Sequence, residues 1–192
     1  MKSHRLTLAL CTAFLALSGH AYAEEPYVAP VTAYVKSNVA TWINDPTVIK
    51  AVKDQDAKNA ALQQPDIDKL DKQWRAEVEA PAKPLIDSVM AHPVSKFLKD
   101  KQAASKGIIT EIFVMDDKGL NVAQSEVTSD YWQGDEAKFQ KSFGVGPDAL
   151  FVDKPEKDES TQKLQVQASF TLKDETGKPI GAVTVGINID DL

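Results

Sequence analysis

The hydrophobic period of this chain changes near residue 105. Before that point apolar residues recur every three or four positions, and after it they alternate. From Lys163 to Leu172 the alternation is strict. Leu164, Val166, Ala168, Phe170 and Leu172 take one side, and Lys163, Gln165, Gln167, Ser169 and Thr171 the other. A repeat of two is that of a strand with one face in a core. Coiled as a helix, the same residues would bury lysine and glutamine among the aliphatics. The second half is therefore committed to a sheet, and the first half to helices that cover it.

Strands are predicted at 109–115, 120–125, 149–152, 163–172 and 180–189. Asp116-Asp117-Lys118-Gly119 forms the turn of the first hairpin, with glycine last, and residues 174–179 form the turn before the final strand. A short helix is expected over 135–143 and a charged surface loop over 153–163. In the first half, Val31, Tyr34, Val35, Asn38, Val39 and Trp42 form a helical stripe. Asp45-Pro46 reads as an N-cap followed by proline at the first helical position. Ile67, Leu70, Trp74 and Val78 share a face, Leu85, Ile86, Val89 and Met90 form a further patch, and His92-Pro93 opens a helix carrying Val94, Phe97 and Leu98. Trp42 and Trp74 are expected in the core. The whole reads as an α+β fold, with a five-stranded antiparallel sheet and an N-terminal helical region on one face. A single domain over 24–192 is expected, with a helical lead-in to 105 and the sheet with its pocket loops after it.

The first 23 residues read as a cleavable signal peptide. Lys2 and Arg5 precede an apolar run from Leu6 to Leu17, and Ala21-Tyr22-Ala23 is a small-x-small cleavage site. The run falls short of the ~20 apolar residues that span a bilayer. A protein soluble in the periplasm, with no membrane insertion after cleavage, is expected. Removing the leader takes two of the 22 basic residues and none of the 28 acidic ones, leaving a formal charge of −8. Such a chain is a poor match for nucleic acid. Cys11, the one cysteine, lies in the leader, and His92 is the one histidine beyond it. Thiol chemistry is thereby excluded, a histidine-rich metal site and a Ser-His-Asp triad are largely excluded, and neither a cofactor nor catalysis is expected.

Thr128-Ser129-Asp130-Tyr131-Trp132-Gln133-Gly134-Asp135-Glu136 packs two adjacent aromatics, an amide and three carboxylates into one loop. Large aromatics in a loop favour burial or a binding surface. Asp130, Tyr131, Trp132, Gln133 and Asp135 are candidate ligand-binding residues, joined by Asp158 and Ser160 in a loop expected either to face them or to be a solvated acidic loop. Two plainer roles compete: Asp135 as the cap of a helix start, and one aromatic as a core anchor. Gln165, Gln167, Ser169, Thr184 and Asn188 either floor a pocket or face water. The acids Asp116, Asp117, Asp130, Asp135 and Glu136 do not follow a calcium-loop spacing, so no metal is expected.

Several motifs together carry a resemblance. They are Trp42 with Asp45-Pro46, the strand and turn from Ile112 to Ala123, the 128–136 stretch, Asp158-Glu159-Ser160, and the final Gly177 to Gly186. Over roughly residues 30 to 189 the chain resembles the periplasmic single-Cache family, the PAS-like extracytoplasmic sensor domains of bacterial receptors. The resemblance implies a pocket between the sheet and the loops above it. It also implies non-enzymatic binding of a small polar metabolite (an amino acid, amine or carboxylate) and a membrane receptor or kinase as signalling partner. Members of that family sit between membrane helices and drive an output module. Neither feature is read in this chain, so a free-standing binder that presents its ligand to a membrane partner is expected. The alternative is a ligand-free module that docks on a receptor through its helical half.

Overall fold

The computed structural model describes residues 25–157 and 164–192. The expected signal peptide, with Cys11, lies outside the described residues, as do Asp158 and Ser160.

The helical half opens with α1 (Val28–Tyr34), which runs on into one wide turn at Val35–Val39. Val31, Val35 and Val39, four residues apart, are all buried. Then come α2 (Pro46–Asn59), α3 (Gln64–Val78), α4 (Pro84–Met90) and α5 (Pro93–Ala104). Each of these four carries proline in its first turn, where the missing N–H costs nothing. Their open N-termini are met by side chains. Asp45 Oδ1 accepts the Thr47 N–H of α2 at 2.8 Å, and His92 Nδ1 accepts that of Val94 in α5 at 3.2 Å. At α4 the Glu77 carboxylate, at the end of α3, takes the N–H groups of Leu85 and Ile86.

The sheet comprises β1 (Ile109–Met115), β2 (Asn121–Gln124), β3 (Leu150–Val152), β4 (Glu156–Lys157), β5 (Leu164–Lys173) and β6 (Pro179–Ile187). Five strands lie in the order β2-β1-β6-β5-β3, antiparallel throughout, and the two-residue β4 pairs with the start of β5. The expected five strands are thus present, with β4 added where a loop was expected. Helix α6 (Ala137–Gln140) is shorter than the predicted 135–143, because the backbone turns after Lys141 and the chain doubles back through Gly144.

One sheet face is apolar. Ile112, Val185 and Ala168 are cross-strand neighbours on it, buried beneath α1, α2 and α5. The other face is mixed and largely buried: Phe113, Met115 and Ala182 pack with Phe139 in a small apolar cluster, with polar residues beside it. Thr184, Ser169, Gln165, Glu111 and Gln124 are each at most 2% exposed. A second apolar cluster, separate from the first, joins Ile67 and Trp74 of α3 to Ile86 and Val89 of α4, and closes on Leu120 and Tyr131. Among the described residues no helix is long and apolar enough to cross a membrane.

Candidate functional site

Residues 125–136, here called the strap, leave β2 and cross the mixed side of the sheet. Their path is dictated by hydrogen bonds from three elements. From α3, Trp74 Nε1 donates to the Thr128 carbonyl at 2.8 Å, and Asp71 Oδ1 accepts the N–H groups of Tyr131 and Trp132 at 2.9 and 3.1 Å. At the β1–β2 turn, the Gly119 carbonyl accepts the Gln133 N–H, and that of Lys118 accepts Trp132 Nε1, both at 2.8 Å. Gly119 has φ +83°, and a Cβ there would sit 2.7 Å from the Gly134 Cα and N, so both its conformation and its contact require glycine. From β2, Asn121 Nδ2 donates to the Thr128 hydroxyl oxygen at 2.9 Å.

Between the strap and the sheet lies a cavity of about 340 Å³. Its floor is Gln165 and Gln167 of β5, and its strap wall carries Ser129, Asp130, Glu136 and Lys138. Arg75 enters from α3, and Asp153, Lys154, Glu156 and Lys157 form the rim. The charges are already arranged in pairs. Arg75 Nη2 lies 3.0 Å from Asp130 Oδ2, Lys138 Nζ 2.9 Å from Glu136 Oε2, and Lys154 Nζ 2.9 Å from Glu156 Oε1. Burial pushes the Glu136 carboxyl above its ordinary value; the Lys138 ammonium opposes that shift and the Asp130 carboxylate adds to it.

Beneath the floor lies Glu111 of β1, 2% exposed. The register of β1 on β6 slips between Ile109 and Glu111, so Thr110 is an extra residue. This bulge keeps Ile109 in the helix-side core while Thr110 and Glu111 both reach the mixed face. Opposite Glu111 on β6 is Gly186, and opposite Gly186 on β5 is Gln167. With no side chain between them, Gln167 Nε2 reaches Glu111 Oε1 at 2.9 Å, and Gln165 Nε2 bonds the same oxygen. A Cβ on Gly186 would collide with the side chains of Gln165 and Thr110.

The candidate residues separate within this frame. Asp130 lines the cavity, with Oδ1 receiving Gln133 Nε2 at 2.7 Å, and Gln133 stands behind it, 1% exposed. Tyr131 turns away from the cavity and stacks on Trp74, with centroids 5.3 Å apart. Trp132 is partly buried against the same cluster, its indole held by the Lys118 carbonyl. Both aromatics are therefore anchors of the strap, and the expected cavity wall is made by the polar residues beside them. Asp135 is exposed, is not among the residues lining the cavity, and does not cap α6, whose N-cap position is Glu136, so its plainer role is corrected while that of the aromatics holds. Gln165 and Gln167 floor the cavity, whereas Ser169 and Thr184 bond each other at 2.9 Å, and Asn188 accepts the Asp190 N–H at the chain's last turn. Trp74 is a core residue as expected; Trp42 is only partly buried, edge-on to Phe97 beneath the Lys101 ammonium.

The sequence reading missed Glu111, Arg75 and Lys138. Glu111 had a signal, as the one charged residue in the apolar run from Ile108 to Met115. Arg75 and Lys138 had none, because solvated helix faces carry such residues everywhere.

Among the described residues, Asp56, Asp116 and Asp117 bring three carboxylates within 4.8 Å of one another, the grouping a cation could use. Asp116 is already saturated. Its Oδ1 accepts the N–H groups of Lys118 and Leu120, and its Oδ2 the amides of Gln55 and Asn59. The cluster is the fastening of a turn onto α2.

No protein-family model matches the chain, and no curated protein does. Among solved structures it is similar to the sensor domain of the V. cholerae histidine kinase DctB, at 10% identity and a TM-score of 0.46. That match covers 86% of this chain and 53% of the DctB domain. It is similar to the E. coli DcuS sensor domain at 11% identity and a TM-score of 0.48, covering 83% of this chain and 91% of that one. A third likeness is to the ligand-binding domain of the Campylobacter jejuni chemoreceptor Tlp3, in complex with 4-methylisoleucine, at 13% identity and a TM-score of 0.42. It covers 83% of this chain and 64% of that one, so the chain spans about half to two thirds of two of these three domains. All three are sensor or ligand-binding domains.

Proposed function

We propose that this chain is an exported, non-catalytic sensor-type domain that binds a small polar metabolite under the strap and reports its presence to a membrane receptor or kinase. One observation carries the proposal. An antiparallel sheet that turns polar side chains inward, instead of to water, incurs a cost for hiding them unless they are hydrogen-bonded. At Glu111, Gln165 and Gln167 that cost is offset by their mutual hydrogen bonds, and beside this network lies a charged cavity of about 340 Å³, within the usual size range for small ligands, about 300–1,000 Å³. Cations and anions alternate around it, which suits a ligand that is itself small and dipolar. Asp130 and Gln167 are the proposed contacts. Gln133 holds Asp130, and Tyr131 and Trp132 hold the strap.

The test is a thermal-shift screen of the protein against amino acids, amines and carboxylates, with native mass spectrometry for a molecule retained through purification. A stabilising compound whose effect disappears in Asp130→Ala supports the proposal. Absence of any stabiliser or retained molecule, together with a membrane partner captured equally well by Asp130→Ala, refutes it in favour of a ligand-free docking module.

A further inference from the structure

Resting on the reading of the cavity as a ligand site, we infer that Glu111 is a positioning residue that sets the floor amides as acceptors and so selects a ligand presenting an ammonium group. Glu111 touches no ligand in this scheme; it acts through Gln165 and Gln167. Glu111 Oε1 accepts from the NH₂ groups of both glutamines, which fixes both amides with their NH₂ ends toward it and their carbonyl oxygens away. The other end of Gln165 is also committed, because its Oε1 accepts from the Thr110 hydroxyl. The remaining amide atom of the floor is Gln167 Oε1, a carbonyl oxygen on a residue that lines the cavity.

The strap wall offers atoms of the same kind. Asp130 and Glu136 bring two carboxyl groups to it, Asp130 held by Arg75 at Oδ2 and by Gln133 at Oδ1, and Glu136 by Lys138 at Oε2. Gln167, Asp130 and Glu136 thus place acceptors on the floor and the wall. An ammonium brings three donors and one positive charge, and satisfies them together. A ligand whose inner end is a carboxylate meets oxygen lone pairs on the same sides.

Three departures from strand chemistry converge on this one spot: a charged residue inside a central strand, a bulge at Thr110, and a glycine at 186 where a side chain would block the amides. Local rules are broken most often where a site is being built.

The experiment has a ligand-free arm and a binding arm. In the wild-type protein without added compounds, side-chain amide NMR should show the Gln165 and Gln167 NH₂ protons protected from exchange. Unprotected Gln167 protons would overturn the inference regardless of how any variant folds. In the binding arm, ethanolamine, putrescine and L-alanine are compared with acetate, succinate and glycerol by calorimetry. Binders should all carry an ammonium. Glu111→Gln, which no longer dictates the amide orientation, should weaken them about tenfold. The exchanged pair Glu111→Gln with Gln167→Glu restores an acceptor on the floor and should recover the affinity to within about threefold. Binding confined to acetate, succinate or glycerol, or amine binding unchanged by Glu111→Gln, overturns this inference and leaves the ligand-site reading standing. Silence across all six compounds removes both.

Discussion

At the scale of single residues, the most telling is Asp56. Burial between α2 and the β1–β2 turn pushes its carboxyl up to about 6. The Asp117 N–H pulls it back, and the Asp117 and Asp116 carboxylates push it further up. The protonated form is therefore favoured by folding. Between the ordinary value of 3.8 and about 6 the folded chain binds more protons than the unfolded one. This group's contribution to stability accordingly rises as pH falls through that window and is lost as pH rises above it. Asp56→Asn keeps the acceptor for the Asp117 N–H and removes the charge. It should stabilise the protein near neutrality by about 1 kcal/mol, the full shift being discounted for solvent access. Near the lower end of the window it should make no difference. Urea melts at the two pH values read this directly, and equal stabilisation at both would contradict it. Tyr131 gives a second contrast. Its anchoring belongs to the ring stacked on Trp74, so Tyr131→Phe should cost little and Tyr131→Ala roughly 3 kcal/mol in the same melts. A large cost for Tyr131→Phe would return the phenol to the role of a ligand contact.

At the scale of elements, the strands were legible because their period is a property of consecutive residues. The alternation from Lys163 to Leu172 places Val166 and Ala168 in the core and Gln165 and Gln167 on the opposite face, where the structure has them. The bulge at Thr110 was not legible, since it is defined by the partner strand. Nor was the direction of Tyr131 and Trp132. The strap has no repeat of its own, and its facing is imposed by Asp71 and Lys118, some sixty and fourteen residues away in sequence. The glycine that ends the β1–β2 turn was predicted for its turn geometry. Its second task, admitting Gly134 at van der Waals range, depends on a segment the turn cannot foresee. Gly119→Ala meets both obstacles at once, a positive φ and a Cβ 2.7 Å from the Gly134 backbone. It should destabilise by about 1–3 kcal/mol. Hydrogen exchange should rise first in the 130–136 segment, which shares hydrogen bonds with the turn. Faster exchange confined to α5 would contradict this account of the contact.

At the scale of the molecule, the two largest of the three apolar clusters give the fold two units of unequal size, the third being a small group around Phe113 and Phe139 on the mixed face of the sheet. The larger holds the sheet to α1, α2 and α5; the smaller holds α3 and α4 to the strap through Trp74, Leu120 and Tyr131. The smaller has fewer buried side chains, so it should open first, at a free energy below that of global unfolding. Asp71 is its clasp, joining α3 to the strap through the Tyr131 and Trp132 N–H groups and carrying Arg75 on its other oxygen at 2.7 Å. Asp71→Ala leaves the sheet untouched and strips two backbone donors of their partner, at a cost of about 2 kcal/mol. Trp74 and Trp132 belong to this unit and Trp42 to the larger one, so tryptophan emission separates the two. In the variant, native-state hydrogen exchange should accelerate together in α3, α4 and the strap, while β5 and β6 keep their protection. Asp130 and Glu136 ride on the strap, so the same opening dismantles one wall of the cavity. A ligand held there binds only the closed unit, and its binding energy is therefore spent on closure. Exchange in α3 and α4 should then slow when the cavity is filled, although no residue of α4 lines it. Acceleration spread evenly through β5 and β6 in Asp71→Ala would mean that the two clusters melt as one, and that filling the cavity has no separate unit to close.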